Sequence, residues 1–249
     1  MKTIIDFLRN PAGSGSGQVS SRYSIIQNLK DRYHKLLADK KTFSYSIYSS
    51  KNSIIFYVKV PSESLPPKSI WYDVFIELKS NASQLSKKDF FATEAKVWSN
   101  IPAFVFTYAY AATHEADIIT WDWIRPYLPK KALTKPAEIR NPENIMGFEK
   151  SIYFALLYLI ENDYFTLKSY NLKDWKLELP YIKKNIQKFD DVMTKYKIWK
   201  EKIAQKERAE KRKAKAAAQK SSSKGTVKSL DGKQHKVKSV KKVKKVKKV

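Results

Sequence analysis

Every aromatic residue of this 249-residue chain lies in its first 199 residues, and Trp199 is the last of them. Aromatic side chains supply much of the apolar area that a protein core buries, so residues 200–249 have little from which to build a core. These 50 residues carry 20 Lys and Arg against 4 Asp and Glu, a net charge of +16, out of +25 for the whole chain. The sequence therefore predicts a body that folds and a basic C-terminal appendage.

The appendage has two parts. Residues 200–220 are rich in Ala, Lys, Glu and Arg, which favour the helical state, and predict a charged helical extension of the body. Residues 221–249 begin with three serines, and their valines then recur at every third position from Val237 to Val249. That period matches neither a helical stripe nor the alternation of a strand, so this segment is predicted to be a disordered Lys-rich tail.

The N-terminal end predicts a second appendage. Residues 1–17 are interpreted as an arm that ends in a Gly/Ser linker at 11–17. The linker lacks the Gly-Lys-Ser/Thr of a phosphate-binding loop, so it is interpreted as a flexible joint. Such a joint lets residues 1–10 dock separately from the body.

Several classes of protein are excluded by composition and motif. The chain has no cysteine, which excludes disulfides, thiolate zinc sites and cysteine catalysis. Asp6 and Arg9 interrupt the first apolar run, which argues against a signal peptide, and residues 101–113 are too few to cross a bilayer. We expect a soluble protein without a membrane partner and without a cofactor.

Residues 18–199 predict an α+β body with a small antiparallel sheet and several helices. Apolar residues at helical spacing predict a helix over 20–38. Runs rich in Ile, Val, Phe and Tyr predict three strands, at 42–48, 53–60 and 70–79, arranged as a meander packed on that helix.

The second half of the body is predicted to be mostly helical. Alternating aromatic residues in 101–113 favour a strand there, although the alanines of that stretch also suit a buried helix. A long helix is predicted to begin at Pro180, a residue favoured in the first turn. Its apolar residues at seven-residue spacing indicate a helix packed on the body, with a self-associating coiled coil as the alternative. The other predicted helices cover 86–98, 118–128 and 142–160.

One pattern resembles an enzyme motif. Glu77-Leu78-Lys79 ends a predicted strand, and a Glu and a Lys two apart on one strand point to the same face, as in Mg²⁺-dependent PD-(D/E)xK nucleases. The further Asp of such a site would be Asp73 or Asp39. Short patterns of this kind arise by chance in lysine-rich chains, and Glu94-Ala95-Lys96 is a second instance. The nuclease is kept as the less favoured alternative, and no catalytic residue is assigned.

A polar segment at His114-Glu115-Ala116-Asp117 has some of the residue types of a metal site but lacks the second histidine of a His-Glu-x-x-His motif. We interpret it as a solvated loop and expect no metal.

Six aromatic residues are interpreted as a subunit interface, with base stacking as the alternative use. They are Phe104, Phe106, Tyr108, Tyr110, Trp121 and Trp123.

The tail carries the strongest functional signal. Flexible lysines bind polyanions through counterion release and contact phosphates rather than base edges, so DNA binding without sequence preference is predicted. The candidate DNA-binding residues are Lys224, Lys228, Lys233, Lys236, Lys238, Lys241, Lys242, Lys244, Lys245, Lys247 and Lys248.

Three strings carry a resemblance to a known group of proteins. The strings at 99–110 (SNIPAFVFTYAY), 140–142 (RNP) and 149–155 (EKSIYFA) resemble those of uncharacterised virion structural proteins of tailed bacteriophages, over roughly residues 42–160. The resemblance implies a phage particle component that is made in the bacterial host cytoplasm and assembled in many copies. It brings no catalytic residues.

These observations together predict a non-enzymatic virion assembly protein. Its body is expected to contact other virion proteins and further copies of itself, and its tail is expected to contact packaged DNA or acidic neighbours. The alternatives are a nucleic-acid-binding accessory protein that acts through the tail and, less favoured, the nuclease.

Overall fold

Six strands form one mixed sheet in the computed structural model, which describes residues 2–9, 22–63, 71–80, 85–136, 149–166 and 172–222. The strands are β1 (Lys2–Thr3), β2 (Ser44–Ser50), β3 (Ser53–Pro61), β4 (Trp71–Leu78), β5 (Glu94–Ser99) and β6 (Leu172–Asp174). The helices are α1 (Ile4–Arg9), α2 (Arg22–Ala38), α3 (Lys87–Ala92), α4 (Pro102–Thr107), α5 (Ala109–His114), α6 (Lys130–Thr134), α7 (Lys150–Glu161), α8 (Trp175–Asn185) and α9 (Phe189–Ser222), with a 3₁₀ turn at Arg125–Tyr127.

The strand order is β1-β5-β4-β3-β2-β6. All neighbouring pairs are antiparallel except β2 and β6, which are parallel. The predicted α+β class and the meander of β2, β3 and β4 are therefore confirmed. The first helix is also confirmed, although Tyr33 of α2 packs against Phe154 of α7 as well as against Phe43 beside the sheet.

The N-terminal segment belongs to the same core as the body. Strand β1 pairs with β5 at the edge of the sheet, and Ile4 and Phe7 of α1 are buried in the main hydrophobic cluster. The expectation that residues 1–10 dock separately from the body is therefore wrong, because their apolar side chains complete its core. The predicted linker at 11–17 lies outside the described residues.

Both faces of the sheet are covered. Side chains alternate along a strand, so Val74 and Ile76 of β4 lie on one face, where α7 contacts β3, β4 and β5. Phe75 lies on the opposite face, where aromatic rings surround it. Strands covered on both faces read as continuous apolar runs, which explains why β3 and β4 were recognisable from the sequence.

The predicted helix at 86–98 is wrong in its second half. Ser86 caps α3 by accepting a hydrogen bond from the Asp89 backbone N–H, and the Asp89 carboxylate accepts one from the Ser86 N–H in return. The helix ends at Ala92, and residues from Glu94 onward form β5, which pairs with β4. The open edge of β4 offers these residues a complete ladder, and this non-local pairing outweighs their local helical pattern.

The strand favoured for 101–113 is also wrong, since this segment forms α4 and α5. Pro102 stands in the first turn of α4, where its missing N–H is not needed. The alternation of aromatic residues was misleading because Phe104 is fully buried while Phe106 is 56% exposed, which places them on different sides of a helix.

The predicted helix at 118–128 is largely absent. Ile118 forms an isolated parallel bridge with Val97, the Ile119 N–H donates to the Val97 carbonyl, and only the short 3₁₀ turn follows. The helix predicted at 142–160 is observed as α7 from Lys150, and residues 142–148 lie outside the described residues.

The helix predicted to begin at Pro180 is replaced by two helices. Pro180 lies inside α8, which begins at Trp175, and the chain leaves the helical conformation at Ile186 before α9 begins at Phe189. At this break the Gln187 N–H donates to the Asp73 carboxylate, so a tertiary hydrogen bond replaces an intrahelical one. The seven-residue repeat from Ile182 to Ile203 is thus divided between two helices and does not form one continuous seam.

The chain divides into two compact units, Met1–Trp199 and Lys200–Val249. Helix α9 begins in the first unit and continues into the second, so the helical extension predicted for 200–220 is confirmed. Among the described residues, no helix combines the length and the apolar character needed to cross a membrane.

Candidate nucleic-acid interface

The second unit contains the most strongly charged surface of the described chain. Residues 200–222 carry nine Lys and Arg against three Glu, and none of the three acids follows Glu210. Side chains at 205–218 are all exposed. This part of α9 is therefore a polar, cationic helix.

Four cations share one side of this helix. Arg208, Lys211, Arg212 and Lys215 stand at positions i, i+3, i+4 and i+7, the spacing that places side chains above one another on a helix. We name these four residues the basic stripe. Each of them is exposed, and none forms an ion pair with an acid among the residues that the structure describes.

Charges within the basic stripe repel one another, although Lys211 has an acid, Glu207, four residues before it. Like charges at i and i+4, such as Arg208 and Arg212, destabilise a helix by roughly 0.2–0.5 kcal/mol per pair. At i, i+7 the four side chains extend over about 10 Å of helix axis, since each residue rises about 1.5 Å. A row of unpaired cations on this scale suits a polyanion, because it neutralises adjacent phosphates and releases their counterions.

The eleven tail lysines lie outside the described residues, and the basic stripe adjoins them in sequence. Residues 200–220 were predicted only as a helical extension and were not assigned to nucleic-acid binding. The helical spacing of Arg208, Lys211, Arg212 and Lys215 was the available signal. It becomes specific only once α9 is known to remain helical through these positions.

The six aromatic residues proposed as an interface do not lie on one surface. Phe104 is fully buried, so it packs in the core. Phe106 is exposed, and its ring meets Phe189 edge to face at 5.3 Å. Tyr108 lies at the junction between α4 and α5, Tyr110 lies in the first turn of α5, and both are half-buried.

Trp121 and Trp123 belong to an aromatic cluster over the sheet. Their rings stack at 5.7 Å with an angle of 16°, and both contact Phe75 and Trp175. Each keeps partial exposure. Much of their ring surface is therefore occupied by neighbours within the chain, although the exposed part is available to a partner.

The Glu77 and Lys79 side chains do not converge with Asp73 on a shared site. Glu77 accepts a hydrogen bond from the Ser53 hydroxyl at 3.0 Å, whereas Lys79 is largely exposed and lies 3.9 Å from Glu94. Asp39, the other candidate carboxylate, follows the end of α2.

Asp73 is held in an internal polar network. It is fully buried and accepts hydrogen bonds from the Tyr57 hydroxyl at 2.6 Å, the Asn100 side-chain amide at 3.1 Å and the Gln187 N–H at 2.9 Å. Burial raises the pKa of Asp73, although these donors oppose the shift. The network joins the sheet to the break between α8 and α9, and this is a structural use of the carboxylate.

The polar segment at 114–117 anchors the N-terminus. The buried Asp117 accepts a hydrogen bond from the Lys2 backbone N–H at 2.9 Å, and the Lys2 ammonium pairs with Glu115. The described residues contain no group of three or more His, Asp or Glu side chains placed to hold a metal ion.

Comparison with known protein families, with curated proteins and with solved structures found no match to this chain.

Proposed function

We propose that this protein is a non-enzymatic virion assembly protein of a tailed bacteriophage whose C-terminal region binds DNA through its charge. The observation that carries the proposal is the concentration of positive charge in residues 200–249, net +16, with the basic stripe exposed on its helical part. The virion location is supported by the sequence resemblance described above.

The proposed binding is electrostatic and independent of DNA sequence. Lysine ammonium groups on a flexible chain contact phosphates as point charges and do not read base edges. Arginine on a helix adds bidentate contacts to phosphate, so the basic stripe would supply a more defined geometry than the tail. Affinity would fall steeply with salt, because each neutralised phosphate contributes about −0.9 to the slope of log K against log salt concentration.

The first test compares the full chain with a deletion of residues 221–249, which removes eleven lysines and one acid. Binding to a fluorescent DNA duplex is measured by anisotropy over a range of salt concentrations. The deletion should weaken binding strongly and flatten the salt dependence. Equal affinity and equal slope in the two chains would contradict the proposal.

The second test asks whether the basic stripe acts as a unit. A variant carrying Arg208→Gln, Arg212→Gln and Lys215→Gln is compared with a control carrying Lys202→Gln, Lys206→Gln and Lys213→Gln. Both variants lose three positive charges from exposed positions of the same helix. The stripe variant should show the larger loss of affinity, and equal losses would leave net charge as the sole determinant.

The virion location has its own test. Mass spectrometry of purified, nuclease-treated particles should detect the protein in a fixed ratio to the major capsid protein. Absence from the particles, together with DNA binding that depends on the tail, would instead favour the alternative of an intracellular nucleic-acid-binding accessory protein.

A further inference from the structure

A cavity of about 540 Å³ lies in the first unit, between β5 and the segment that runs from α5 to α6. Its lining includes the buried side chains of Trp98, Ile119, Ile124 and Leu128. Small-molecule sites typically have volumes of about 300–1,000 Å³ and a mostly apolar lining. The size and the lining of this cavity both match that description.

The polar residues of the lining, apart from Trp98, are three exposed threonines, Thr113, Thr120 and Thr134, and two cations. Arg125 and Lys130 are exposed residues of its lining, and both carry positive charge. No acidic residue contributes to the lining. The opening of the cavity is therefore cationic while its interior is apolar.

One buried donor in the lining has no partner. Trp98 is 1% exposed, and its indole Nε1–H has no hydrogen-bond acceptor among the described residues. Buried donors are normally paired, because an unpaired one loses its interaction with water without compensation. This Nε1–H is enclosed by protein, so the Trp98 side chain lines the cavity without offering this donor to it.

We propose that this cavity binds an amphipathic monocarboxylic acid, of the class of medium-chain fatty acids. The apolar interior would bury the hydrocarbon body, and the carboxylate would lie near Arg125 and Lys130. This site is separate from the DNA-binding residues of the proposed function and does not depend on them.

The test follows the Trp98 indole directly in the full-length chain. Protein labelled with ¹⁵N at its six tryptophan indoles is titrated with decanoate below its micellar concentration, and Trp98→Phe identifies the Trp98 resonance by its disappearance. Decanoate should shift that resonance saturably. Decanol at equal concentration should bind at least about tenfold more weakly, because charge-assisted hydrogen bonds are roughly twice as strong as neutral ones.

Variants locate the carboxylate. Arg125→Gln with Lys130→Gln should weaken decanoate binding by roughly tenfold or more. Lys131→Gln with Lys135→Gln is the matched control, since both residues are exposed, lie in or directly after the same helix, and are absent from the lining. Leu133→Trp fills the cavity from a half-buried position and should also reduce binding.

Three outcomes would overturn the proposal. The first is no saturable shift of the Trp98 resonance, and the second is equal binding of decanol. The third is an equal loss of affinity in the double variant of Arg125 and Lys130 and in its control, the double variant of Lys131 and Lys135. Equal losses would indicate that decanoate is attracted to the net charge of the chain. If Trp98→Phe fails to fold, Leu133→Trp still tests the cavity, because it should abolish the saturable indole shifts and their persistence would overturn the proposal.

Discussion

Glu149 should make the protein less stable as the pH rises from about 5 to about 7. The residue caps α7, where its Oε2 accepts a hydrogen bond from the Ser151 N–H at 2.7 Å. It is 2% exposed, and its other carboxyl oxygen has no partner among the described residues. Burial raises the pKa of Glu149 from 4.5 to about 7 despite the opposing charge of Lys150 and the hydrogen bonds from Ser151.

The direction of the effect follows from proton binding. Between pH 4.5 and pH 7 the folded chain retains a proton on Glu149 that the unfolded chain has lost. Protonation of Glu149 therefore favours folding. Its contribution to the free energy of unfolding is fully present below pH 4.5 and is lost as the pH rises through about 7. A shift of this size corresponds to about 3 kcal/mol of unfolding free energy, since one pKa unit is worth about 1.4 kcal/mol.

Glu149→Gln isolates this contribution. Glutamine is neutral and nearly isosteric, and its side-chain carbonyl can still accept from the Ser151 N–H. The variant and the original chain should have similar stability at pH 5, whereas at pH 8 the variant should be more stable by about 3 kcal/mol. Urea unfolding followed by tryptophan fluorescence at pH 5, 6, 7 and 8 and constant ionic strength measures the difference.

Two controls restrict the interpretation. Glu207→Gln makes the same change of charge on an exposed part of α9 and so controls for the change in net charge. The pKa shift of Glu63 has the opposite sign to that of Glu149. Burial alone would raise the pKa of Glu63, but hydrogen bonds from Arg32 and Lys150 outweigh burial and lower it. Its contribution is lost only as the pH falls toward and below 4.5. A Glu149→Gln advantage that is constant with pH, or that grows toward pH 5, would refute the reasoning.

Three further changes test the described fold, each read as urea unfolding at a fixed pH. Phe104→Ala should destabilise by about 3–5 kcal/mol because it empties a fully buried site, whereas Phe106→Ala at a 56% exposed position should cost much less; equal losses would contradict the assigned burial. Ser86→Ala removes the cap of α3 and should cost about 1 kcal/mol, and no loss would mean that the cap is not formed. Asp174→Ala removes the acceptor for the Lys176 and Leu177 N–H groups and should destabilise α8 similarly, with exposed Lys176→Ala as a control of little effect.

The parts of the fold that the sequence predicted are those in which a local pattern and its tertiary setting agree. Strands β3 and β4 consist of apolar runs covered on both faces, and α2 has a regular apolar stripe. For β5 the local sequence pattern and the tertiary setting disagree. Ala95 and Trp98 fit a helical stripe that begins at Phe90, but pairing with β4 determines the conformation, and no local pattern reports a partner strand that lies 16 residues away or more.

The errors at 101–113 and at Pro180 have a similar origin. Alternating aromatic residues are compatible both with a strand and with two short helices, so the pattern does not distinguish them. Pro102 is the residue that favours the start of a helix. Helix α8 ends at Asn185, and Asp73 and Asn100, distant in sequence, hold the backbone of Gln187 just beyond it by hydrogen bonds. The cavity lined by Trp98 and Arg125 was equally beyond prediction, since its walls come from segments whose conformation was assigned incorrectly.

The charge distribution separates what stabilises this protein from what the proposed function requires. The buried carboxylates of the described residues, Asp73, Asp117 and Glu149, lie in the first unit, where they hold backbone groups in place. The basic stripe lies in the second unit on exposed positions, where substitutions usually change stability by less than about 0.5 kcal/mol. Neutralising the stripe should therefore change DNA binding without changing the unfolding of the body, while Phe104→Ala should do the reverse. If both properties changed together in either variant, binding would depend on the folded body, and the appendage alone could not account for it.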